Sequence, residues 1–120
     1  MAVPGTRGQR AGGEAPTLGI VGRLGGIGAR PERIGLVSDA DGAVTAVACA
    51  LELGRMAAAG DRLAGDVLIA THICPHAPTR AHPVVTMMDS PLDTATLNRE
   101  EVHPEMEAIL SVDTTRGNRV

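Results

Sequence analysis

The sequence predicts an α/β fold: a three-layer type of sheet with mostly parallel strands, about three to four of them, and flanking helices. Three observations carry this. Aliphatic runs the length of one strand recur at Leu18–Val21, Ile34–Val37, Val67–Thr71 and Ile109–Val112. Between the second and third of these the periodicity is helical, from Ala43 to Ala58. Strands joined through a helix run parallel, because such a crossover returns the chain to the same end of the sheet.

Residues 1–17, rich in Gly, Arg and Pro, read as a flexible lead-in, and residues 18–120 as a single partial α/β domain. Leu18–Val21 is a short strand. The glycines after it, Gly22, Gly25, Gly26 and Gly28, fit G-x-G-x-x-G in no register, so a glycine-rich turn is expected there. Ile34–Val37 is the strand on which the domain is centred. It leads to Asp39 and Asp41 on a turn closed by Gly42, and then to a helix from Ala43. That helix is expected to turn Val44, Val47, Ala48, Leu51 and Ala58 to one face, with Glu52 and Arg55 toward solvent and Gly60 as its stop. Val67–Thr71 is the next strand. It delivers Thr71–Pro83, where three prolines imply a constrained, irregular loop. Asp93 or Thr94 caps a short helix to about Val102, ended before Pro104. Ile109–Val112 is a third buried strand, ending in Asp113.

Composition removes several functions. A net charge of −3 without a basic run argues against nucleic acid, and Phe, Tyr and Trp, the stacking platforms for bases, are absent. All 11 basic residues are Arg, which excludes a phosphate-loop lysine, a Schiff-base lysine and a Ser-Lys pair. No run approaches a membrane span. Cys49 reads as a packing residue within the helix and Cys74 as a loop residue. With no disulfide framework, a reducing cytoplasm is expected.

The chemistry gathers behind the strands, which end in Asp39-Ala-Asp41, His72-Ile-Cys74-Pro-His76 and Asp113. In a parallel sheet those ends share one edge, where open α/β sheets bind ligands. Carboxylates and imidazoles together are divalent-metal ligands by type, and a mixed His/Asp shell suits zinc first and manganese second. The plainer readings are turn formers for Asp39 and Asp41, a hydrogen-bonded structural His72, and a cap for Asp113. His82 and His103 read as loop and surface residues, and Glu100, Glu101, Glu105 and Glu107 as a solvated face.

The runs GLVSDADGAVTAVACALEL, GDVLIATHICPHAPTR and AILSVDTTRGNRV resemble the bacterial Domain of Unknown Function 1177 family, from about Ala15 onward. That family is similar in architecture to the dizinc exopeptidases and amidohydrolases, which implies a partial zinc-exopeptidase-like fold. By that resemblance Asp39, with Gly42 behind it, matches the carboxylate that bridges two metal ions, and Asp113 matches a later carboxylate ligand. Thr71-His72 stands where those enzymes carry Glu-Glu, so His72 would serve as ligand or as base. His76 is a further candidate ligand, and Asp41 would orient a ligand or act beside His72 in catalysis. The flanking histidines of those enzymes have no match, and the relatives are longer, so a fragment is expected. The function implied is a metal-dependent hydrolase of peptide or amide bonds, acting on a small-molecule or peptide substrate.

Two alternatives stand beside it. SDADGAV after an apolar strand resembles the D-x-D-G motif of haloacid-dehalogenase-like phosphatases, with Asp39 as nucleophile, Asp41 as general acid and magnesium. The other is a scaffold without catalysis, a binding or subunit module whose open strand edges favour a homo-oligomer.

Overall fold

The computed structural model describes residues 1–23, 40–74, 79–80, 87–88 and 90–113. Its centre is a mixed four-stranded sheet in the order β1-β3-β2-β6, built from β1 (Ala2–Val3), β2 (Leu18–Gly22), β3 (Val67–Thr71) and β6 (Ala108–Val112). β2 pairs parallel with β3 and with β6, and β1 runs antiparallel to β3. Helix α1 (Ala40–Ala58) makes the crossover between β2 and β3, and α2 (Thr94–Glu101) precedes β6. Thr79–Arg80 (β4) and Met87–Met88 (β5) form a separate antiparallel ribbon. Regular pairing therefore enters the proline-rich stretch, at two residues that are not proline. The expected strand at Ile34–Val37 lies outside the described residues.

Ile20, Val67 and Ile69 of the two central strands meet Ala46 of α1, with Val3, Cys49, Ala50 and Leu53 packed around them. Cys49 is thus a packing residue, as its alanine-rich surroundings imply.

α1 differs from expectation in its start and in its face. It begins at Ala40, before Asp41, so the aspartate occupies the first helical turn, where the helix dipole favours an anion. Gly42 is helical and buried, not a turn residue. A Cβ on Gly42 would stand 2.2 Å from the Arg23 carbonyl oxygen and 2.3 Å from that of Val112. The helix therefore sits on the sheet through its smallest residues, Gly42 and Ala46. That contact fixes its rotation and leaves Val44, Val47 and Leu51 exposed, Val47 by 61%. The aliphatic periodicity does not mark the inward face, because close backbone approach, not side-chain size, selects it. The helix stops in a Schellman motif: Gly60 takes φ 86°, and the N–H groups of Gly60 and Asp61 donate to Ala57 and Met56.

β6 is an exposed strand rather than a buried one. Among the described residues it pairs only with β2, and Leu110 is 54% exposed.

The first 17 residues bond to the body of the domain. Their anchor is Asp66, whose side chain is buried at 1% exposure. Its carboxylate accepts from Gly5 N–H (2.8 Å) and Arg10 N–H (2.9 Å). Gly8 lies so close that a Cβ there would fall 2.0 Å from Asp66 Oδ1. The backbone N–H of Arg10, then that of Gly5, holds the carboxyl below its ordinary value of 3.8. A buried anion needs such donors, and a chain rich in glycine can bend to supply them.

Asp93 caps α2 as expected, accepting from Thr96 N–H (2.9 Å) and Thr96 Oγ1–H (2.7 Å). These bonds, the hydroxyl first, lower its pKa from 3.8. Among the described residues no helix is long and apolar enough to cross a membrane.

Candidate functional site

The parallel register sets the site. Gly22 on β2 is level with Thr71 on β3 and Val112 on β6. The residues one step beyond, Arg23, His72 and Asp113, therefore leave the carboxyl rim of the sheet side by side. Neighbouring strands lie about 4.8 Å apart, so His72 and Asp113 flank Arg23 at about one strand spacing each and stand about two spacings from each other. Two hydrogen bonds carry the order past the last strand residue: Arg23 N–H to Val112 O (2.9 Å) and Thr71 Oγ1–H to Gly22 O (2.8 Å). Through Gly42 the amino-terminal turn of α1 lies against the same rim, and Asp41 is exposed there.

To the same rim comes Glu101, the last residue of α2 and the buried residue of that helix, at 6% exposure. Its Oε1 meets Nδ1 of His72. Its Oε2 receives the Arg23 guanidinium, whose other terminal nitrogen donates to Asn98 Oδ1. Three elements, β2, β3 and α2, thus meet in one chain of polar contacts, Asn98–Arg23–Glu101–His72. A buried carboxylate is costly unless paired, and here two cationic or hydrogen-bonding partners enclose it.

Of the residues singled out from sequence, His72, Asp113 and Asp41 fall on this one rim. Asp39 and His76 lie outside the described residues, as do His82 and Asp89. Cys74 is half-buried two residues beyond His72. His103 is exposed and lies by Glu105. Among the described residues no group of three His, Cys, Asp or Glu side chains is placed to hold a metal ion. The phosphatase alternative needs a short insertion between its aspartate pair and the next helix. α1 begins between the two aspartates, which leaves no room for one.

Glu101 is buried and ion-paired, not part of the solvated face that the sequence predicts. Arg23 and Asn98 were not singled out at all. The signal was available: α2 has a thin apolar face, and a helix with little to bury must attach by polar contacts. Arg23 also holds the same place after β2 that His72 holds after β3.

What this arrangement does chemically is set Nδ1 of one imidazole against a buried carboxylate. Such a contact helps to fix the orientation of the ring.

A family model described as "Protein of unknown function (DUF1177)" matches residues 1–120. No curated protein and no solved structure matches the chain.

Proposed function

Since the chain belongs to the DUF1177 family, whose description assigns no activity, we propose its function from the rim itself: hydrolysis of an amide or peptide bond, with His72 activating the water. The observation that carries this reading is the contact between His72 Nδ1 and the buried Glu101 carboxylate. A histidine so oriented is a general base at its other nitrogen, and the carboxylate stabilises the imidazolium formed when the proton is taken. Asp41, in the first turn of α1, supplies a second acid–base group on the same rim.

A divalent cation, zinc first and manganese second, belongs to the same proposal. Its donors would be Asp113 among the described residues and Asp39 and His76 outside them, in the manner of the dizinc exopeptidases and their fold. His72 would join them if it ligates instead of serving as base. The carboxylate and imidazole donor types suit such an ion, although the described residues alone form no three-donor group. Bound there, it would polarise the scissile carbonyl and acidify a water.

The test is turnover of dipeptides and N-acyl amino acids by the full chain, with added zinc, with manganese and with EDTA. Hydrolysis is expected to fall about 100-fold or more in His72→Ala and about 10-fold in Glu101→Gln. Absence of turnover under every metal condition, or turnover indifferent to His72→Ala, overturns the reading.

A further inference from the structure

We propose that the outward face of α1 is where a second copy of this chain docks, the two helices pairing antiparallel about a two-fold axis. Val44 of one copy then packs over Gly54 of the other, and Asp41 of one meets Arg55 of the other. This interface depends neither on hydrolysis nor on a metal.

α1 carries two apolar faces, and the sheet takes up one of them. The inward face is made of small residues, with Gly42 and Ala46 buried and Cys49, Ala50 and Leu53 packed against the core. On the outward side Ala40, Val44, Val47, Leu51, Gly54 and Ala58 follow one another at alternating steps of four and three. That is the spacing by which one helix lays a seam against another. Val44, Val47 and Leu51 are 53%, 61% and 56% exposed. Aliphatic side chains on successive turns, each more than half in water, form a patch that a second surface would cover.

Gly54 selects a helix as that surface. Glycine within a helix weakens it, and close approach of another surface is what gives it a use. Within the chain nothing approaches: a Cβ on Gly54 would meet no atom within 4 Å. In the antiparallel register that engages all six seam positions, Ala40 faces Ala58, Val44 faces Gly54 and Val47 faces Leu51. The hollow over Gly54 thus receives the isopropyl group of Val44, and the two-fold axis repeats every contact.

Charge fixes the direction. Asp41 and Arg55 flank the seam on the same side, one place beyond Ala40 and Gly54. Both are exposed, and neither has an ion-pair partner among the described residues. They stand about 21 Å apart along the helix axis, so they meet neither within one helix nor across an in-register parallel pair. Turning the second helix over brings each level with its opposite to within about one turn, twice per dimer.

The experiment is sedimentation velocity on the full chain, with circular dichroism confirming that each variant is folded. Wild type is expected to dimerise at about 100 μM, the weak regime of a small interface. Gly54→Leu meets no obstacle within the monomer and improves helix propensity, yet it fills the hollow. It should fold and weaken dimerisation by about 10-fold or more. Asp41→Arg and Arg55→Asp each set like charges opposite one another twice, and each should weaken self-association by about 10-fold. Mixed in equal amounts, these two variants should form heterodimers about as tight as the wild-type dimer, because every flanking contact is then of opposite sign.

A wild-type chain that stays monomeric at about 500 μM overturns the proposal and leaves the face to a partner of another kind. A dimer indifferent to Gly54→Leu overturns it too, and so do charge variants that fail to recover on mixing. Either result places self-association on another surface.

Discussion

Replacing Asp66 with asparagine removes a charge from the place where the amino-terminal segment is held. The wild-type carboxylate accepts two backbone N–H groups, from Gly5 and Arg10. An amide keeps one acceptor oxygen and turns an NH₂ toward the other N–H, so one bond survives in weakened form and the second becomes a donor–donor contact. A hydrogen bond to a charged acceptor contributes about 1.5–3 kcal/mol, and a stranded buried donor costs about 1–3 kcal/mol. The net loss is therefore about 3 kcal/mol, a large share of the roughly 5–15 kcal/mol that hold a domain together. At about 2 cal/mol/K per residue the unfolding entropy of this chain is about 0.25 kcal/mol/K, so the midpoint should fall by about 12 °C. Calorimetry measures this, and amide exchange locates it, with protection expected to drop first in residues 1–15.

The sign with pH follows from the lowered pKa. A carboxyl whose folded value lies below 3.8 contributes stability at neutral pH and loses it as pH falls through that folded value. The gap between wild type and Asp66→Asn should thus be full above about pH 5 and narrow below about pH 4. A midpoint within about 2 °C of wild type at pH 7, with exchange unchanged in residues 1–15, would refute the anchoring argument.

Further perturbations test the sheet and the rim. Gly42→Ala drives a methyl into the Arg23 and Val112 carbonyls, so the urea midpoint should fall by the equivalent of about 2–3 kcal/mol despite the better helix propensity of alanine; an increase would show that α1 does not approach there. Thr17 is buried at 1% exposure, and its hydroxyl has no hydrogen-bond partner among the described residues. Thr17→Val should therefore stabilise by about 1 kcal/mol in chemical denaturation, and a loss of that size would reveal a partner for the hydroxyl. Asp113→Ala should leave the thermal midpoint within about 2 °C, since the side chain is exposed. If Asp113 is a donor to a cation, the same change lowers zinc retention on dialysis about 10-fold or more, and equal retention removes it from the donor set.

Much of the fold was legible because aliphatic runs bounded by glycine and polar residues are what a sheet interior demands. Leu18, Val67 and Ile109 each mark a strand within a residue of its start, and Asp93 marks the cap of α2. What was not legible depended on backbone proximity. Gly42 in an Asp-Gly pair reads as a turn, and only contact with β2 shows it to be the point where α1 touches the sheet. The same contact turns Val44, Val47 and Leu51 outward, against the face their periodicity predicts. The contacts of the first 17 residues were not legible for a related reason. Their glycines carry no hydrophobic signal, and the group that bonds to them, Asp66, lies far along the chain. At the rim, His72 and Asp113 were recognisable from their positions after strands. Glu101 was hidden among its neighbours Glu100, Glu105 and Glu107, since a carboxylate destined for an arginine looks the same in sequence as one destined for water.

The pairing of Ala2 and Val3 with Leu68 and Val67 has a consequence for the order of assembly. The upstream residues emerge from the ribosome well before their partners exist, and β2 likewise waits for β3 on one side and β6 on the other. Early local structure among the described residues is then left to α1, α2 and the β4–β5 ribbon, and the sheet closes late. Until it does, the amino-terminal segment is the portion most open to chaperones and proteases.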